Sequence, residues 1–135
     1  MQTAEIKWIG KQQFVATGPS GHGLVLDSER ETNVAPGPME LLLLALGACT
    51  ATDIVIILEK QRQKLESLEV ICSGERAKEP PMVWTKMEMF YRLRGNLKDS
   101  AVKRAIELSE GKYCSVSAML QKTAKITWRY EILGE

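Results

Sequence analysis

The run LLLLALGACTATDIVIILEK, residues 41–60, is the most apolar stretch of the chain and decides what the rest can fold around. It is long enough to cross a bilayer as a helix. A helix that is apolar on every side is buried, either by lipid or by protein. Glu40 and Asp53 fall inside the apolar segment 39–58, together with Thr50 and Thr52. Two carboxylates in one span would each be costly in hydrocarbon. The amino-terminal MQTAEIKWIGKQQ also lacks the apolar core of a secretory signal. We therefore expect a helix over 39–63 that protein covers, in a cytoplasmic chain with no membrane partner. Pro38 suits its first position, where a missing N–H costs nothing. The closing EKQRQK turns polar and basic, as a helix end entering water should.

The flanking segments supply elements to cover such a helix. AEIKWIG (4–10), QFVATG (13–18) and GLVLDS (23–28) read as three short strands with tight turns between them. ESLEVICSGERA (66–77) sets Leu68, Val70 and Cys72 against Glu69 and Ser73. WTKMEMFYRLRG (84–95) sets Met87, Met89, Tyr91 and Leu93 against Lys86, Glu88, Arg92 and Arg94, with the period of a strand that has one buried face. LKDSAVKRAIELSEG (97–111) is an amphipathic helix ending at a glycine, and CSVSAMLQKT (114–123) a second, shorter one. AKITWRYEIL (124–133) is a last alternating strand. The order βββ-α-ββ-αα-β groups strands and helices in runs, which predicts an α+β fold with mostly antiparallel sheet. At 135 residues this is one domain.

Charge and ligand-type residues narrow the function. The net charge of +1 gives no footprint for a nucleic-acid partner. With 44% hydrophobic residues the chain is globular rather than disordered. The three cysteines, Cys49, Cys72 and Cys114, form no CxxC pair, and the one histidine, His22, sits in a glycine turn. No zinc knuckle, disulfide scaffold, metal centre or cofactor is expected from that pattern. Cys72 lies on the apolar face of a strand and reads as core. Cys49 reads either as buried core or as a reactive thiol. Burial raises a thiol pKa, and an ionised Asp53 one turn on would raise it further. Cys114 follows the helix stop and precedes a new helix. It either packs under a loop or sits where free N–H groups and the helix dipole favour a thiolate, with Lys112 close in sequence.

The stretch PMELLLLALGACTATD resembles the central-helix motif of the OsmC/Ohr superfamily, the osmotically inducible and organic-hydroperoxide-resistance proteins. KYCSVS resembles its second motif, usually Cys-Pro-Val-Ser, with Ser115 in place of the proline. The element order agrees, the resemblance covers essentially the whole chain, and GPMELLL, GACTATD and LSEGKYCSV make it most similar to the YhfA-like branch.

The resemblance implies an intertwined homodimer, with two sheets around two long central helices and sites at the subunit interface. It implies that Cys49 reduces an organic hydroperoxide, becoming a sulfenic acid. Cys114 then condenses with it to a disulfide, which a small dithiol or dithiol protein reduces. Two departures stand out. The family's peroxidases place a glutamate directly after the helix-starting proline, and here Met39 intervenes before Glu40. Their partner arginine comes from the N-terminal sheet region, whereas the first arginine here is Arg30. Glu40, Asp53 and Arg30 are the expected supporting residues. The alternative is an OsmC-like dimer that binds a small apolar or thiol-reactive ligand at the interface without turnover.

Overall fold

The structure is a computed structural model and describes residues 1–134. The chain divides into two compact units, Met1–Leu42 and the residues from Leu43 onward.

The first unit is a three-stranded antiparallel meander, β1 (Glu5–Gly10), β2 (Gln13–Thr17) and β3 (Gly23–Asp27), in the order β1-β2-β3. Gly10 and Lys11 take the positive φ that the tight β1–β2 turn requires. Asp27 is the buried carboxylate of this unit and organises the loop that follows. It accepts from the backbone N–H of Glu29 at 2.9 Å and of Val34 at 3.0 Å, and these bonds hold its carboxyl below the usual range. Its own N–H donates to the Pro36 carbonyl. That loop delivers the chain to helix α1 (Pro38–Lys60) with Pro38 at its first position, as expected. The Glu40 carboxylate reaches back to accept from the Gly37 N–H at 2.8 Å, half of a capping box.

The second unit holds the rest of α1, then β4 (Lys64–Arg76), β5 (Trp84–Asn96), α2 (Asp99–Leu108), a π-helical turn over Ser109–Tyr113, α3 (Ser115–Leu120) and β6 (Lys125–Leu133). The observed order is the predicted one, and the α+β class holds. Every strand pairing is antiparallel except β5 with β6. That pair is parallel because α2 and α3 carry the chain back before β6 begins, the crossover a parallel pair needs.

The core lies within the second unit. Met87, Met89, Tyr91 and Leu93 of β5 are buried, as their alternation predicted. From α1 come Leu46, Ile54 and Leu58, spaced by four and eight residues along one face, with Thr50 completing the stripe. Val102, Ala105 and Ile106 of α2 close the cluster. The approach of α1 to β4 is set by Gly47: a Cβ there would lie 3.3 Å from Cys72 Sγ. Cys72 is packed on its far side too, its Sγ 3.1 Å from Met89 Sδ. It is a core thiol, pushed up to about 11 by burial and then by the charge of Glu110.

Among the described residues α1 is the helix long and apolar enough to cross a membrane. Its Leu46–Leu58 stripe is core. Its other face leaves Leu44, Val55 and Ile56 exposed at 56%, 43% and 45%.

Candidate functional site

The middle of α1 and the start of α3 meet over the core. Cys49 is half-buried and Asp53 follows one turn later, also half-buried. Cys114 is 3% exposed and occupies the cap position of α3, where its Sγ accepts from the Ser117 N–H at 3.3 Å. The two sulfurs and an Asp53 carboxylate oxygen all lie within 4.8 Å of one another. Residues far apart in sequence thus form one compact cluster of two thiols and an acid.

The π-helical turn places its other members. The Cys114 N–H donates to the Ser109 carbonyl five residues back, at 2.8 Å, rather than four. The sequence pattern predicts one helix over 97–111, and its end instead widens into a π-helical turn over Ser109–Tyr113. Such turns recur at functional sites because they redirect side chains without ending the helix. Here Ser109 Oγ donates to Asp53 at 2.9 Å. Glu110 accepts from the Tyr91 hydroxyl at 2.8 Å and from Ser117 Oγ at 3.1 Å. Ser109, Glu110, Ser117 and Tyr91 are therefore part of this region; the first three fall within LSEGKYCSV and KYCSVS, but neither motif marked them as site residues. A signal was present: Ser109 and Glu110 continue the apolar stripe of Val102 and Ile106 by one turn, so polar side chains fall on a buried face.

The electrostatics follow from burial and acids. Burial pushes the Cys114 thiol up to about 12, with the neighbouring Cys49 next in weight. The Ser117 N–H acts the other way, as expected at a helix start, but burial outweighs it. Glu110 is raised above the usual carboxylate range, first by burial and then, after the bonds from Tyr91 and Ser117 offset part of it, by the charge of Asp53. Lys112 lies over the Tyr113 ring, 5.2 Å from its centroid. Among the described residues no lysine or arginine lies within 4.0 Å of the Asp53 carboxylate. Asp53 does line a cleft of about 530 Å³ that Lys60 and Arg104 share, with Ile57, Leu108 and Tyr113 as its apolar walls.

The other expected supporting residues belong to the first unit. Glu40 is exposed at the start of α1 and bonds the Gly37 N–H. Arg30 is exposed in the loop after β3.

The family model described as OsmC-like protein matches residues 30–129. The chain is 41% identical over 132 residues to Protein YhfA of Escherichia coli K12, a match covering 97% of this chain and 98% of that protein. Among solved structures it resembles an OsmC-like protein from Mycoplasma pneumoniae at 16% identity and a TM-score of 0.86, covering 98% and 97% of the two chains. It also resembles the organic hydroperoxide resistance protein OhrB of Bacillus subtilis, at 11% identity and a TM-score of 0.67, covering 97% and 98%. These last two likenesses are of fold. The fold is that of an OsmC-like protein. The chain belongs to the OsmC-like family.

Proposed function

We propose that this protein is a thiol-dependent peroxidase that reduces organic hydroperoxides through Cys49 and Cys114. The observation that carries this reading is the approach of the two sulfurs to within 4.8 Å. A disulfide needs about 2.05 Å between sulfurs, so modest side-chain movement closes the gap. The difference in burial between the two thiols supports the division of roles. Cys49, half-buried, attacks the hydroperoxide; Cys114, enclosed and protonated at neutral pH, resolves.

In the first step the Cys49 thiolate attacks the terminal oxygen of ROOH. The O–O bond breaks, Cys49 becomes a sulfenic acid, and the leaving alkoxide takes a proton to depart as ROH. In the second step Cys114 sulfur attacks the Cys49 sulfenic sulfur, water leaves, and a disulfide forms. A dithiol returns both cysteines to thiols and is itself oxidised to a disulfide. We place this cycle in the cytoplasm, where thiols are kept reduced, and in a homodimer of single-domain chains whose contact covers the exposed face of α1.

A second reading rests on Asp53. An anion beside the thiols opposes a thiolate, and it favours a dimer that holds a ligand in the cleft without turnover. Steady-state turnover of cumene hydroperoxide with a dithiol donor separates the two. The peroxidase predicts turnover in the wild type, none in Cys49→Ser, and in Cys114→Ser a single oxidation of Cys49 that stops at the sulfenic acid. A reduced wild type whose Cys49 mass is unchanged after long exposure to the peroxide sinks the enzyme reading.

A further inference from the structure

No metal is expected from the sequence, because its potential ligands are scattered along the chain. The fold gathers three of them: Cys49 Sγ, Cys114 Sγ and an Asp53 carboxylate oxygen lie within 4.8 Å of one another. We propose that the reduced form of this site binds a thiophilic divalent cation of the Zn²⁺ or Cd²⁺ class, held by Cys49, Cys114 and Asp53.

Geometry supports this first. Zinc sits about 2.3 Å from sulfur and about 2.0–2.2 Å from a carboxylate oxygen, so a tetrahedral shell has edges of roughly 3.5–3.8 Å. Contraction from separations of up to 4.8 Å is roughly 1.3 Å at most and lies within side-chain rotation. Two sulfurs and one oxygen select a soft or borderline ion over Mg²⁺ or Ca²⁺, which take oxygen donors. Three protein ligands leave a fourth position open, the pattern of a reactive rather than a purely structural site.

The surroundings support it next. Ser109 Oγ donates to Asp53 Oδ2 at 2.9 Å, an outer bond that orients the carboxylate as such bonds orient metal ligands elsewhere. Asp53 also faces the cleft shared with Lys60 and Arg104, whose charges offset the net negative charge of two thiolates and a carboxylate around a dication. The placement of Asp53 thereby gains a purpose. An anion that opposes a bare thiolate balances a bound cation, and an ion inverts the local charge logic. The inference stands on the triad and not on peroxide turnover. If both hold, the ion and the hydroperoxide compete for the same reduced thiols, and disulfide formation expels the ion.

The test titrates Cd²⁺ into the reduced, metal-free full-length protein and follows the ultraviolet thiolate-to-cadmium charge-transfer band. One Cd²⁺ per chain is expected. Cys49→Ser and Cys114→Ser should each lose about half of the band, since one of two thiolates is gone. Asp53→Asn should keep the band and bind about a hundredfold more weakly, the upper end of what even an outer-shell partner costs. Cys72→Ser should titrate as the wild type does. A second measurement uses only the wild type, so no variant need fold: Cd²⁺ should protect Cys49 from alkylation. An unprotected Cys49, or an Asp53→Asn variant that binds as tightly as wild type, overturns the proposal. Peroxidase activity without Cd²⁺ binding overturns it and leaves the peroxidase intact; Cd²⁺ binding without turnover does the reverse.

Discussion

At the scale of single residues, the acids beside the thiols include Glu110, which lies within LSEGKYCSV although that motif gave it no role. Glu110 is partly buried and hydrogen-bonded to Tyr91 and Ser117, and burial raises its pKa. The folded protein then holds this proton more tightly than the unfolded chain does. Its contribution to stability is full below the unfolded value of about 4.3 and is lost as pH rises through the higher folded value. Tyr91 and Ser117 donate to different oxygens of Glu110, so Glu110→Gln keeps one of these acceptors, turns an amide toward the other hydroxyl, and removes the titration. We expect the variant to melt at a temperature that gains on wild type as pH rises from roughly 4 to 8. Melting curves that stay parallel across that range would refute the assignment. Cys49 and Cys114 were legible because each sits in a motif. The partner of Asp53 was not: it is the hydroxyl of Ser109, which follows it by 56 residues and reaches it only through the π-helical turn. A local pattern cannot announce a turn whose form is fixed by what it packs against.

At the scale of elements, α1 was readable almost to its ends because its composition allowed nothing else. What the pattern could not supply was its height above β4. GACT contains a glycine in a helix interior, which costs about 1 kcal/mol relative to alanine. Its reason is the contact with Cys72 Sγ at 3.3 Å. Cys72 has little room to retreat, being held 3.1 Å from Met89 Sδ. Gly47→Ala should therefore lower stability by roughly 1–2 kcal/mol, the overpacking loss exceeding the helical gain. The sign should invert once the sulfur is removed. In a Cys72→Ala background the same change should stabilise by about 1 kcal/mol or less. A double-mutant cycle in urea measures this coupling, and additive effects would show that the contact is slack. The parallel placement of β6 is a related case. Its alternation was plain in ITWRYEI, but strand direction depends on the path of α2 and α3, which side-chain periodicity does not encode.

At the scale of the molecule, the apolar surface left uncovered argues for a second copy. Every buried apolar side chain comes from residue 46 onward, so the β1–β3 meander buries none of its own among the described residues. Ile6, Trp8, Leu24 and Val25 of that meander are exposed. A three-stranded sheet with so little apolar burial is marginal alone. On α1, Leu44, Val55 and Ile56 leave the face opposite the core stripe bare. The composition of α1 already required cover on all sides, and one chain supplies it on one side only. A stable homodimer needs about 800 Å² from each partner, and exposed apolar groups of this number can furnish its centre. We expect the wild type to sediment as a dimer. Leu44→Glu and Val55→Glu, at positions exposed in the single chain, should leave its core intact and shift sedimentation toward the monomer, because a carboxylate buried at the contact has no partner. Peroxide turnover should fall with dimer content if the partner helps to enclose the site. A wild type that sediments as a monomer, or glutamate variants that stay dimeric, would place the contact elsewhere and leave the apolar face of α1 without its proposed cover.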